Sequence, residues 1–285
     1  MLYPKKIGKN YQNQDKWIDY KLWQLPDFDK ELFLRGPKQE NLIKNEYITC
    51  LGAAQTFGRF VENPYPSLIA KKFNIGVINL GISGAGPSFF SRDPNIIKKI
   101  NNGKFVIIQA MAARSCSNRY FKSEIGTNSL TRLKDGVKGS SGKFYGDLII
   151  QKDYLLLSEI IYDCKLQWIK DHLYLFSLIK VPIVLLWFST RSPKKEHKSI
   201  NSIFNSFPQM VDNDMISILR PNVNKYICYF SQQGLPQNLG ESYINRNSNT
   251  KGENMTINMN TYYPSPIMHH QVSESIAESI KDFFC

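Results

Sequence analysis

Five short apolar runs punctuate this chain from residue 47 onward: residues 47–52 (Tyr-Ile-Thr-Cys-Leu-Gly), 77–80, 105–110, 182–188 and 226–230. Most of them are apolar at successive positions instead of alternating, so both sides of each run ask for burial. That is the signature of a parallel strand covered on both faces of its sheet. Stretches of helical period lie between most of the runs. Asp93-Pro94 followed by Ile96, Ile97 and Ile100 gives an N-cap, a proline at the first helical position and one apolar face. Leu156, Ile160, Ile161, Cys164, Trp168, Ile169 and Phe176 recur at steps of three and four, and predict a long amphipathic helix. A last helix follows Tyr262-Tyr263-Pro264-Ser265-Pro266 and carries Val272, Ile276, Ile280 and Phe283 on one side. The expected architecture is an α/β fold, a three-layer α/β/α sandwich around a central, mostly parallel, five-stranded sheet.

The other segments frame that domain. Residues 1–45 are polar and aromatic without sustained period, and read as an arm packed on a domain spanning 46–285. Residues 122–147, rich in Gly, Ser and Lys, read as an exposed excursion, and 232–260 as a long polar loop of the kind that covers a site. The net charge of +12 raises the question of nucleic acid, but the lysines are scattered and no basic stripe interleaved with aromatics appears. No nucleic-acid partner is expected. The five cysteines are widely spaced and form no C-x-x-C pair, which argues against a disulfide framework or a zinc site. No metal and no cofactor are expected. The residues after MLYPKKIGKN are not an apolar stretch, and the run at 182–188 is too short to span a bilayer, so no membrane partner and a cytoplasmic location are expected.

In an open parallel sheet the ligand crevice lies outside the carboxyl ends of the strands. Four such ends are informative: Gly52-Ala53-Ala54-Gln55-Thr56-Phe57-Gly58-Arg59, then Asn79-Leu80-Gly81-Ile82-Ser83-Gly84, then Gln109 to Asn118, and Met268-His269-His270 before the final helix. In this order they resemble the four blocks of the SGNH/GDSL hydrolases, over roughly residues 47 to 283, and the resemblance implies a flavodoxin-like sandwich. The first block of that family reads G-D-S-L-T-x-G, and here Gly52, Thr56 and Gly58 match while Ala54 stands where the nucleophilic serine belongs. Gly81 matches the oxyanion-hole glycine. The third block's asparagine has no clear counterpart, with Gln109 or Asn118 as the candidates. The fourth block's histidine falls at His269 or His270, without the aspartate three residues earlier. The stretches Leu-Gly-Ala-Ala-Gln-Thr-Phe-Gly-Arg-Phe, Arg-Ser-x-Ser-Asn and Tyr-Tyr-Pro-Ser-x-x-Met-His also look like an uncharacterised bacterial family of unknown function.

An alanine has neither an oxygen to attack a carbonyl nor a proton for an imidazole to remove, so serine chemistry at position 54 is not expected. The candidate catalytic residues are His269, His270, Cys116 and Ser115. The candidate binding residues are Ala54, Gln55, Thr56, Arg59, Gly81, Ser83, Gly84, Gln109, Arg114 and Asn118. Arg59 and Arg114 bring planar forks suited to an anion. Three readings stay open. The first is a protein that binds or modifies an anionic or carbohydrate-containing small molecule, as in a transferase with a histidine base. The second is an esterase or O-acyltransferase with Cys116 or Ser115 as a relocated nucleophile, and the third a non-catalytic binding or scaffold protein.

Overall fold

A computed structural model of the chain describes residues 10–15, 18–24, 32–39, 42–239 and 259–284. Its strands, in chain order, are β1 (Tyr47–Gly52), β2 (Gly76–Gly81), β3 (Val106–Gln109), β4 (Phe121–Ser123), β5 (Ser129–Arg132), β6 (Lys138–Ser140), β7 (Ile183–Ser189), β8 (Lys225–Phe230), β9 (Gln237–Asn238) and β10 (Met259–Asn260). The central sheet runs β2-β1-β3-β7-β8 with every neighbouring pair parallel. The strand order reverses between β1 and β3, and a crevice therefore opens outside the carboxyl ends of these two strands.

The apolar runs are needed because successive side chains point to opposite faces. Ile48 and Cys50 of β1 join Val77, Ile107, Val184 and Leu186 on one face. Tyr47 and Leu51 join Ile78, Leu80, Val106, Ile108, Leu185 and Trp187 on the other. Helices Tyr65–Phe73 and Pro266–Ser279 cover the first face, through Ile69, Met268, Val272 and Ile276. Helix Pro94–Asn101 and the long helix Tyr154–Leu178 cover the second, through Ile96, Ile100, Leu157, Ile160 and Trp168. The caps follow the sequence: the Asp93 carboxylate accepts from the amides of Asn95 and Ile96 at 2.8 and 3.3 Å, and Ser265 accepts from Met268 at 3.3 Å. Such a cap contributes about 1 kcal/mol.

Part of the N-terminal segment lies along the free edge of the sheet. Arg35 pairs antiparallel with Asn79 of β2. Its buried guanidinium donates to the carbonyls of Val61 and Glu62 at 2.8 Å each and lies 4.5 Å from the Tyr20 ring centroid. Residues 122–147, expected to be an exposed excursion, form most of the antiparallel sheet β4-β5-β6 and the start of helix Ser141–Ile150. Their glycines serve turns, since Gly126 and Gly136 sit at φ of 74° and 72°, where a side chain would be strained. Phe121, Leu130, Phe144 and Tyr145 carry the segment into the main core. Of the expected 232–260 loop, residues 240–258 lie outside the described residues, and its two ends pair as β9 and β10. Among the described residues no helix is long and apolar enough to cross a membrane.

Candidate functional site

At the end of β1 the chain turns through Ala53 into the short helix Ala54–Phe57. The turn is tight: a Cβ on Gly52 would lie 2.1 Å from Thr56 Oγ1 and 2.4 Å from Gln109 Oε1, so only glycine leaves room for both. Those two groups form a buried floor beneath Ala53, behind the residues that line the site. Thr56 Oγ1 donates to Gln109 Oε1 at 2.8 Å, the Ala53 amide donates to the same oxygen at 3.1 Å, and Tyr65 Oη lies 3.1 Å from Thr56 Oγ1. Thr56 and Gln109 are fully buried. Their hydrogen bonds serve to lock the ends of β1 and β3 together.

Above this floor is a cavity of about 130 Å³. Ala53, Ala54 and Gln55 enter it from β1, Ser83, Gly84 and Ala85 from β2, and Ala112, Arg114 and Ser115 from β3. Tyr11, Asn128, Phe207, Gln209, Tyr262 and Tyr263 complete the wall. Several of its polar groups are engaged. Tyr11 Oη and Ser83 Oγ are 2.8 Å apart, Ser115 Oγ donates to the Gly84 carbonyl at 2.8 Å, and Gln209 Nε2 donates to Tyr262 Oη at 2.6 Å. Three are not: Gln55 Oε1, Gln209 Oε1 and Arg114 Nε are buried without a hydrogen-bond partner. Arg114 is half-buried and has no ion pair among the described residues. Burial raises the Tyr262 phenol, and the Arg114 charge acts against that rise. A buried polar atom left unpaired costs about 1–3 kcal/mol, and three of the residues that line this one cavity carry such an atom.

The sequence candidates divide by position. Ala54, Gln55, Ser83, Gly84, Arg114 and Ser115 line the cavity, while Thr56 and Gln109 lie in its floor. Gly81 is close by, but its amide donates to Asn79 Oδ1 at 2.9 Å. A Cβ on Gly81 would meet the Phe57 nitrogen at 2.1 Å, so this glycine lets the short helix rest on β2. Arg59 is committed elsewhere, to Asp15 at 3.1 and 3.3 Å and to Tyr263 Oη at 3.2 Å. Asn118 organises its own turn, accepting from the amides of Tyr120 and Phe121 at 3.0 Å each.

The four catalytic candidates do not form a catalytic set. Cys116 is buried outside the cavity lining, and burial together with Asp171 pushes its thiol well above the ordinary range, away from the reactive thiolate. Ser115 faces the cavity with no histidine to take its proton. His270 is exposed beside Tyr229 and Phe230. His269 is fully buried behind the floor, against Tyr65 and Phe188. Its Nδ1 accepts the Tyr65 amide at 3.1 Å, which uses the one lone pair of a neutral imidazole and places the proton on Nε2. Burial and the nearby Arg35 charge push its pKa down to about 3. Such a ring is a neutral packing group with no lone pair left to act as a base. Tyr11, Gln209 and Tyr262 were not among the candidates. Of these, only Tyr262 was signalled, by the Tyr-Tyr-Pro-Ser motif before the last helix.

A crevice at the strand-order reversal of a parallel sheet, with a lone arginine at its wall, defines an α/β protein with a compact polar pocket. The family model of a domain of unknown function, DUF6473, matches residues 10–128 and 157–284, and the chain belongs to that family. The unmatched residues 129–156 span β5, β6 and the helix Ser141–Ile150. No curated protein matches the chain significantly. Among solved structures, a protein from Lactobacillus plantarum is 9% identical, with a TM-score of 0.40 over 84% of this chain and 98% of that one. A gut microbial diltiazem-metabolizing enzyme is 15% identical, with a TM-score of 0.34 over 63% of this chain and 34% of that one. Neither likeness bears on activity.

Proposed function

We propose that this chain is an SGNH-like cytoplasmic protein that binds a small anionic or carbohydrate-containing molecule at the carboxyl edge of its sheet, without serine chemistry. The observation that carries the reading is that Arg114, Gln55 and Gln209, each with a buried polar atom that has no hydrogen-bond partner, line one cavity. A guanidinium supplies the counter-charge, and two acceptors suit ligand hydroxyls. Kinship with the SGNH proteins is supported by the strand order and by the positions of Ala54, Gly81 and Arg114 around one edge of the sheet. A relocated nucleophile is disfavoured by the buried thiol of Cys116 and by the engaged hydroxyl of Ser115. Size narrows the ligand further. Pockets for whole drug-sized molecules run to about 300–1,000 Å³, whereas this one holds about 130 Å³. A carboxylate, a sulfate or the acidic end of a sugar fits it.

Thermal denaturation with sulfate, acetate, glucuronate and a nucleotide-activated sugar tests the reading. A ligand at about 100 times its Kd stabilises by about 2.7 kcal/mol, a rise of about 4–5 °C for a chain of this size. At least one of these should produce that rise in the natural protein and lose it in Arg114→Ala. If none shifts the melting temperature, the cavity is not an anion site.

A further inference from the structure

Among the described residues, Arg114 is the one charged side chain in the lining of the cavity, and the rest of its polar wall is neutral. Tyr11, Gln55, Ser83, Asn128 and Gln209 are all side chains that both donate and accept hydrogen bonds. A dianion such as sulfate would find one positive charge for its two negative ones. A single carboxylate on a hydroxylated frame matches the wall better, because the acid meets the guanidinium and each hydroxyl donates to one neutral group while accepting from another. Resting on the reading of this cavity as an anion site, we propose that its ligand is a hydroxylated carboxylate of the sugar-acid class, with Arg114 at the acid and Ser83 at a hydroxyl. In this arrangement Arg59 is the positioning residue for the second contact.

Arg59 does not line the cavity, but a row of hydroxyls joins the two. Arg59 donates to Tyr263 Oη at 3.2 Å, Tyr263 hydrogen-bonds Tyr11, and Tyr11 Oη lies 2.8 Å from Ser83 Oγ. Three hydroxyls joined by two hydrogen bonds hold three hydrogens, so one is left over. A guanidinium only donates, and its charge turns the O–H dipoles away from it. The spare hydrogen therefore falls to Ser83, the exposed end of the row. Tyr11 is held where this requires: Arg59 lies 4.5 Å from its ring centroid and bonds the fully buried Asp15, on the same arm, at 3.1 Å. The arm is thereby one wall of the pocket.

Titration calorimetry of the full chain with glycerate, glucuronate and propionate tests this, propionate being the acid without hydroxyls. At least one hydroxy acid should bind about tenfold or more tightly than propionate, and Arg114→Ala should weaken all three. Ser83→Ala and Tyr11→Phe should each lower the ratio of hydroxy-acid to propionate affinity about fivefold, the scale of one hydrogen bond. The double variant should lower it no further, because both changes break the same row. Arg59→Gln should lower the ratio as well, an effect that general destabilisation does not produce. If none of the three acids binds the natural protein, the anion reading falls and this inference with it. If they bind with equal affinity, or Ser83→Ala leaves the ratio unchanged, the anion site stands and the sugar-acid assignment is overturned. A ratio unchanged in Arg59→Gln overturns the positioning role.

Discussion

Ala54 lacks a nucleophilic oxygen, but placing one there does not make a hydrolase. A serine there would face a cavity with no free imidazole lone pair, since His269 Nδ1 is held by the Tyr65 amide and its ring lies behind the floor. Nor would it gain the oxyanion donor, because the Gly81 amide is engaged by Asn79. Ala54→Ser is therefore expected to hydrolyse an aryl acetate no faster than the natural protein, as followed by release of the phenol. Turnover 100-fold above background would mean that His269 reaches the cavity. At this scale the sequence was legible where a residue lies within a few positions of a strand's carboxyl end, as Gln55 and Arg114 do. It was silent on Tyr11 and Gln209, which come from the arm and from a connection after β7, and whose positions follow from tertiary packing without any local period.

Elements were read well when their period was long and poorly when it was short. The five strands of the central sheet announced themselves because burial on both faces demands unbroken apolar runs. The small sheet did not: β6 is only Lys138–Ser140, and its alternation is lost in three polar residues. Composition suggested an exposed excursion; the segment is anchored by Tyr145, which is 1% exposed and packs at 5.7 Å from Phe121 and 5.4 Å from Phe204. Its hydroxyl also accepts from Asn118 Nδ2 at 3.3 Å. The part of the chain that the family model does not match is thereby built into the core. Tyr145→Ala is expected to destabilise the whole domain by about 3–5 kcal/mol, the range for deleting a buried ring, measured by urea denaturation monitored at the tryptophans. A change below about 1 kcal/mol would show the segment to be an independent appendage.

Across the whole molecule, the two cores each hide one neutral histidine. His172 lies on the long-helix face, with Nδ1–H donating to the Trp168 carbonyl at 2.9 Å, and burial pushes its pKa down to about 4. His269 lies on the opposite face, with a pKa of about 3. In both, Nε2 is buried without a partner. Both values lie below the ordinary 6.5 of an exposed histidine, so as pH falls the unfolded chain takes up these protons before the folded one. Their contribution to stability is complete above pH 6.5 and is lost as pH falls toward the folded values, at about 1.4 kcal/mol per pH unit for each ring. Between pH 6.5 and 5 that is roughly 2 kcal/mol per histidine. Denaturation should report an uptake on unfolding from these two rings that rises from about one proton at pH 6.5 to nearly two at pH 5, and His172→Gln or His269→Gln should each remove half of it. Because the rings sit on opposite sides of one sheet, their losses should add. A flat profile from pH 7 to 5 would mean that water reaches both rings in the native state, and that neither core is closed as these contacts require.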